Sequence, residues 1–161
     1  MKKGFSLKKG FTLIELLIVI AIIAILAGVV FVALDPLTRF QEARDSKRWS
    51  DVTAILDATK VQQVDNGGSY LAAITSLTVG NYYTIGTCAA GGDAGCGSFV
   101  TQAACADLTG LATAKYIQEI PFDPSTGSAT TTDYYILRPT TSTITIGACD
   151  PEGSSAISVS R

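Results

Sequence analysis

Histidine is absent from this 161-residue chain. Because histidine is the commonest general base and the commonest metal ligand in proteins, its absence excludes histidine-based catalysis. The remaining acids, hydroxyls and thiols form no nucleophile–base pair and no metal constellation that their spacing reveals. We therefore predict that the chain is not an enzyme and has no cofactor.

An excess of positive charge is also missing. The chain has 12 Lys and Arg against 14 Asp and Glu, for a net charge of −2. Four of its lysines fall within the first ten residues, namely Lys2, Lys3, Lys8 and Lys9. The rest of the chain is therefore acidic, which argues against direct binding of nucleic acid.

One long apolar run stands near the N-terminus. Residues 16–34 read LLIVIAIIAILAGVVFVAL, without a charged side chain. About 20 apolar helical residues cross a bilayer, whereas a secretory signal has an apolar core of only about 7–15 residues. The run predicts a single transmembrane helix, and the lysines before it predict a cytoplasmic N-terminus. On hydropathy alone, a plain membrane anchor explains this segment.

Two features before the run go beyond what an anchor needs. Glu15 lies next to hydrocarbon, where an unpaired carboxylate is costly and therefore indicates a function. Gly10 separates a basic stretch from a hydrophobic one in the segment KKGFTLIE. The longer segment KKGFTLIELLIVIAIIAILA resembles the type IV prepilin and pseudopilin family, whose signature is a basic leader ending in Gly and followed by FTLIE.

The resemblance implies a processed N-terminus. A prepilin peptidase is expected to cut between Gly10 and Phe11 and to methylate the new amine of Phe11. The apolar helix then stays on the mature chain, and Glu15 is expected to pair with the Phe11 amine of a neighbouring subunit during assembly. The implied partners are prepilin peptidase, identical or related pilin subunits, an inner-membrane assembly platform and, before assembly, membrane lipid. The implied locations are the bacterial inner membrane and then an extracellular or periplasmic filament.

The helix is expected to continue beyond the apolar run. Residues 37–65 contain neither Gly nor Pro, and Asn66-Gly67-Gly68 is a strong helix stop. We predict a leader over residues 1–10, a helix over 11–66 that spans the membrane to about residue 34 and is amphipathic afterwards, and a globular domain over 67–161. Gly28 and Pro36 predict a bend or an opening of the helix between them.

The amphipathic part has two predicted surfaces. A stripe at three- and four-residue spacings is expected to dock on the globular domain, and it consists of Leu37, Phe40, Val52, Ile55, Leu56 and Thr59. The other faces carry a charged belt, which is either a solvated surface or a zone of contact between subunits. The charged belt consists of Arg39, Glu42, Arg44, Asp45, Lys47, Arg48, Asp51 and Asp57.

The C-terminal part is predicted to form a small antiparallel sheet. Short segments rich in β-branched and aromatic residues are bounded by turn residues, and they cover 82–85, 133–138, 143–146 and 156–159. A short helix is expected within 108–120, ending at Pro121. A long helix laid across such a sheet is an α+β, pilin-like fold.

The four cysteines are predicted to form disulfides. Their spacing does not match the paired knuckles of metal sites, and they are Cys88, Cys96, Cys105 and Cys149. Three pairings are possible. We favour Cys88 with Cys96 and Cys105 with Cys149, because the first pair flanks a Gly-rich loop.

Asp123 and Asp133 are weak candidates for a calcium site. The segment around Pro121 to Pro124 resembles a loop of pilins and of type II secretion pseudopilins that often carries calcium. Two carboxylates are too few for a site with six to eight ligands, and Ser125 stands where the pseudopilin motif has a tryptophan. We therefore favour no metal and a turn capped locally by Asp123.

The resemblance leaves three functions to compare. The leading prediction is a structural subunit of a type IV pilus-like filament. The alternatives are a pseudopilin of a type II secretion or DNA-uptake machine, and a membrane-anchored module that binds a ligand at the cell surface.

Overall fold

The structure is a computed structural model, and it describes residues 10–89, 91–92, 95–97, 99–138, 143–153 and 156–161. The described chain forms two compact units, which divide between Arg39 and Phe40. The leader prediction falls mostly on residues 1–9, which lie outside the described residues.

The first unit is dominated by helix α1, Leu13–Leu34. Its 22 residues give a length of about 33 Å, which matches a hydrocarbon core of about 30 Å. The helix stops at Asp35, whose backbone is left-handed with φ 37° and ψ 73°. Pro36 then begins helix α2, at a position where a missing N–H is tolerated. The predicted opening between Gly28 and Pro36 is confirmed at Asp35.

Helix α2, Pro36–Asp65, enters the second unit at Phe40. Its end is a glycine cap, in which Gly67 N–H donates to the Val64 carbonyl and Gly68 N–H to the Gln63 carbonyl. Gly67 has φ 64°, the left-handed conformation that glycine adopts without a steric penalty. The predicted stop after residue 65 is confirmed.

The second unit contains a five-stranded sheet and a separate hairpin. The strands are β1 Tyr82–Gly86, β2 Gly95–Cys96, β3 Phe99–Val100, β4 Ala106–Asp107, β5 Tyr134–Leu137, β6 Thr145–Ala148 and β7 Ser158–Ser160. The sheet order is β4-β1-β5-β6-β7, and β2 pairs with β3. Strands β1, β5, β6 and β7 are antiparallel, but β4 runs parallel to β1. The α+β class is confirmed, and the sheet is mixed rather than purely antiparallel.

The boundaries differ from the predicted ones in the later elements. Strands β6 and β7 each begin two residues after the predicted start. Helix α3, Ala72–Thr75, was not predicted, and helix α4, Thr109–Thr113, ends well before Pro121. Lys115 is the reason for the early end, because its φ of 64° lets Tyr116 N–H donate to the Leu111 carbonyl.

The core forms between α2 and the sheet. Val52, Ile55, Leu56 and Thr59 are buried, which confirms the docking of that part of the stripe. Leu37 and Phe40 are 64% and 63% exposed, so their predicted burial is wrong. The buried residues of α2 begin only at Asp45. The core packed on α2 includes Ile74, Ile85, Leu108, Leu111, Tyr134, Ile136, Ile144, Ile146 and Ile157.

All four cysteines form disulfides, as predicted, but the favoured pairing is wrong. Cys88 pairs with Cys105, at a Cα–Cα distance of 5.4 Å, and Cys96 pairs with Cys149, at 4.5 Å. A turn at Cys88 brings the chain back to the segment before β4, where Gly92 N–H donates to the Ala103 carbonyl at 2.8 Å and Cys105 follows. The small hairpin of β2 and β3 carries Cys96 to the end of β6, where Cys149 follows.

Candidate processing and assembly site

The predicted cleavage point lies in an exposed, non-helical segment directly before α1. Gly10, Phe11 and Thr12 precede the helix, and Phe11 is 90% exposed. A Cβ atom added at Gly10 would meet no atom within 4 Å. The fold of this chain therefore does not require a glycine at position 10, and a substitution there tests recognition by another molecule rather than folding.

Thr12 and Glu15 form a capping box at the start of α1. Glu15 N–H donates to Thr12 Oγ1 at 3.3 Å, and Thr12 N–H donates to Glu15 Oε2 at 2.9 Å. Both residues are exposed. The reciprocal bonds satisfy two free N–H groups and hold the carboxylate at the positive end of the helix dipole. The box was missed from the sequence, although the spacing T-x-x-E that signals it is present.

The surface of α1 is apolar on all sides. None of its residues is buried, and Leu16, Ile25 and Val32 are 62%, 68% and 80% exposed. Within the described residues, the stretch Leu13–Asp65, which contains α1 and α2, is the one candidate membrane span by length and composition. An exposed surface this apolar is stable only when lipid or other apolar helices cover it.

The family model of the prokaryotic N-terminal methylation motif matches residues 5–31. This is the prepilin signature of type IV pilins and pseudopilins. The match ends at Phe31, inside α1, and so leaves the sheet-containing unit outside it. No curated protein and no solved structure matches the chain.

The motif supports a type IV pilin-like or pseudopilin protein and points to a structural subunit rather than an enzyme. It implies processing by prepilin peptidase and assembly with pilin subunits. Together with the apolar α1, it fits a pilin that is anchored in a membrane.

The globular unit, residues 40–161, contains a buried guanidinium. Arg48, fully buried on α2, donates from Nε to Asp123 Oδ2 at 2.6 Å and from Nη1 to Asp45 Oδ1 at 2.8 Å. Its Nη2 donates to Asp123 Oδ1 and to Glu152 Oε1, both at 3.0 Å. Arg44 donates to Glu152 as well, from Nε at 2.7 Å. We call these five residues the Arg48 cluster.

The Arg48 cluster fastens two loops to α2. Asp123 lies between α4 and β5, and Glu152 lies between β6 and β7. The N–H groups of Glu152 and Gly153 also donate to Asp45, at 3.0 and 2.7 Å. The carboxylates of Asp123 and Glu152 therefore accept from arginines of α2, and the carboxylate of Asp45 on α2 accepts from the loop backbone. These bonds join segments more than 70 residues apart in the chain.

The cluster shifts the pKa of its members in favour of the charged forms. Burial alone raises the pKa of Asp45 and Asp123, but hydrogen bonds outweigh it and the net pKa of both is lowered. The donors are Arg48 and two backbone N–H groups for each carboxylate. Hydrogen bonds from Arg44 lower the pKa of Glu152, and the bond to Asp123 raises the pKa of Arg48.

The central residues of the charged belt therefore form neither a solvated surface nor a zone of contact between subunits, the two alternatives predicted for the belt. Asp45, Arg48 and Asp51 are buried and contact their own domain, and Asp51 Oδ2 accepts from Tyr134 Oη at 2.9 Å. A signal was available, because these three charges lie at helical spacing from Val52 and Ile55 and so share the buried face. Their partners at positions 123 and 152 had no comparable signal.

Asp123 is wrong as a calcium candidate. Both of its oxygens accept hydrogen bonds from Arg48, whose positive charge opposes a cation there. Oδ1 also accepts from Ser125 N–H at 2.8 Å and Thr126 N–H at 3.2 Å, which confirms the local cap. The carbonyl of Asp133 accepts from Cys149 N–H. In the described ranges, no three His, Cys, Asp or Glu side chains are grouped to hold a metal.

Proposed function

We propose that the chain is a structural subunit of a type IV pilus-like filament. Prepilin peptidase cuts the precursor between Gly10 and Phe11, and the mature chain assembles through α1. The observation that carries this proposal is the coincidence of the methylation motif, residues 5–31, with a helix that has no buried residue. Lipid covers α1 before assembly, and the α1 helices of other subunits cover it afterwards.

Glu15 is the assembly residue in this proposal. Cleavage creates a cationic amine at Phe11, and methylation leaves that charge in place. A carboxylate in a water-poor helix bundle is costly unless a cation with good geometry pairs with it. The capping box holds the Glu15 carboxylate at the start of α1, where we expect it to pair with the Phe11 amine of an adjacent subunit.

Gly10→Glu tests the cleavage position. We expect the leader to remain attached, because a charged side chain then enters the peptidase cleft next to the scissile bond. Gly10→Ala is the matched control, since a Cβ at this position meets nothing in the fold, and it should be processed much more fully. The intact mass of the membrane-bound chain is the readout. A mature N-terminus at Phe11 in Gly10→Glu would contradict the assignment.

Glu15→Val and Glu15→Gln together test the assembly role. Both variants should be processed and both should yield few filaments, because both remove the negative charge. Glu15→Gln keeps an acceptor for Thr12 N–H, so it separates the loss of charge from the loss of the helix cap. Filament yield by electron microscopy is the readout. Normal filaments from both variants would eliminate the charge-pairing role.

A pseudopilin of a secretion or DNA-uptake machine is the second candidate, because the same methylation motif occurs in that group. Filaments sheared from cells and containing this chain favour the pilus. A short, periplasmic assembly that depends on neighbouring secretion genes favours the pseudopilin. A processed chain that stays monomeric would instead indicate a membrane-anchored binding module.

A further inference from the structure

The two disulfides lie in different surroundings. Cys96 and Cys149 are 0% and 5% exposed and pack with Tyr135, Tyr82 and Phe99. Cys88 and Cys105 are only partly buried, and three of their four chain neighbours, Thr87, Ala89 and Ala104, are exposed, whereas Ala106 is buried. A reductant dissolved in water therefore reaches the Cys88–Cys105 disulfide more readily than the Cys96–Cys149 disulfide.

The Cys88–Cys105 bond joins the segment after β1 to the segment before β4, at the edge of the sheet. Cys88 comes two residues after β1, and Cys105 comes immediately before β4. Strand β4 contributes two residues to the parallel pair, Ile85 with Ala106 and Gly86 with Asp107. Ala106 of β4 is fully buried in the core, so β4 has a restraint besides the disulfide. What the disulfide restrains is the turn that follows Cys88, where Gly92 N–H also donates to the Ala103 carbonyl at 2.8 Å.

The backbone of Cys88 is strained in the closed state. Its φ is 60°, in the left-handed region that a non-glycine residue adopts only at a cost. Opening the disulfide allows Cys88 to leave this conformation, so the strain favours the reduced form.

We propose that Cys88–Cys105 is a redox-sensitive disulfide, which a dithiol reduces while the Cys96–Cys149 disulfide stays intact. A thiolate of the dithiol attacks one sulfur, the Sγ–Sγ bond breaks, and the second dithiol sulfur then displaces the first cysteine. The dithiol becomes a cyclic disulfide, two electrons pass to the protein, and both cysteines end as thiols after taking up protons. The turn that follows Cys88 is then released from the segment that precedes β4.

Graded reduction tests the order of opening. The full-length chain in detergent is treated with rising concentrations of dithiothreitol, quenched with iodoacetamide and mapped by peptide mass spectrometry. We expect Cys88 and Cys105 to be labelled at concentrations at which Cys96 and Cys149 remain at least tenfold less labelled. Equal labelling of the two pairs, or earlier labelling of Cys96 and Cys149, would overturn the proposal.

Hydrogen exchange tests which segment the Cys88–Cys105 disulfide restrains. On the partially reduced chain, the amides of Gly91 and Gly92, which donate to the Cys88 and Ala103 carbonyls, should exchange at least tenfold faster, and those of β6 should stay protected. The double variant Cys88→Ser with Cys105→Ser should reproduce this pattern, and Cys96→Ser with Cys149→Ser is its matched control. If the first variant does not fold, the partially reduced parent chain still provides the test. Unchanged protection of Gly91 and Gly92 in the reduced parent chain would refute the proposed restraint.

Discussion

Arg48 is the largest side chain that the described part of the chain buries completely. A guanidinium out of water is costly unless its donors are paired, and a buried ion pair often contributes little net stability. Three carboxylates converge on Arg48, from α2 and from two loops. We infer that the Arg48 cluster determines where the two loops lie on α2, because its hydrogen bonds are directional and apolar contacts are not.

Arg48→Met should destabilise the globular unit by about 3–5 kcal/mol, because it leaves buried carboxylates without their cation. The free energy of unfolding in urea, followed by the fluorescence of Trp49, is the measurement. Arg161→Met is the control, since the Arg161–Asp57 pair is largely exposed and such pairs contribute roughly 0–1 kcal/mol. Equal effects of the two substitutions would show that the cluster has no special role.

Stability should fall in acid. The folded-state pKa values of Asp45, Asp123 and Glu152 lie below the ordinary values of 3.8 for Asp and 4.5 for Glu. The unfolded chain therefore binds protons first as the pH falls, and the stability that the charged forms contribute is present above the ordinary pKa values and lost below them. Urea midpoints at pH 7, 5 and 3 should be similar at the first two values and lower at pH 3.

The same pH series on Arg48→Met provides the control. Without the guanidinium, the carboxylate pKa values rise toward those of the unfolded chain, so the loss between pH 5 and pH 3 should shrink. A parent midpoint that does not change between pH 5 and pH 3 would be inconsistent with the lowered pKa values.

At the scale of elements, the break between α1 and α2 is a weak point built into the sequence. Asp35 is left-handed and Pro36 has no N–H to donate. Hydrogen exchange on assembled filaments should show faster exchange between residues 28 and 36 than in the preceding turns of α1. Uniform protection across residues 28–36 would mean that the helix closes fully on assembly.

Elements with strong local signals were predicted well. The apolar run, the glycine stop at residues 66–68 and the aromatic strands β1 and β5 each follow from periodicity or turn chemistry. The hairpin of β2 and β3 and strand β4 have two residues each, too few for a pattern to register. The end of α4 was missed because Lys115, not glycine, takes the left-handed position there.

Apart from the capping box of Thr12 and Glu15, the contacts that were missed join distant segments. The pairing of Cys105 with Cys88 depends on the turn that brings the chain from Cys88 back to the segment before β4, and the pairing of Asp123 with Arg48 depends on how a loop returns to α2. Neither follows from local spacing. In the N-terminal segment the opposite holds, because Gly10, Phe11, Thr12 and Glu15 act within a few residues of one another, and their pattern is readable without the fold.

At the scale of the whole molecule, the two units differ in what they expose and what they bury. The first presents an apolar helix with no buried residue, whereas the second holds a packed core, two disulfides and a buried charge cluster. The first is suited to lipid and then to other copies of the same helix. The second has its own core and two disulfides, which suit the extracellular or periplasmic location that we propose.

The most direct test of a processed filament subunit is mass spectrometry of filaments sheared from cells that make this chain, after electron microscopy has verified the filaments. Our account predicts that the filaments contain this chain and that its N-terminal peptide begins at Phe11 with one added methyl group. Filaments that lack the chain, or a chain that still carries residues 1–10, would contradict it.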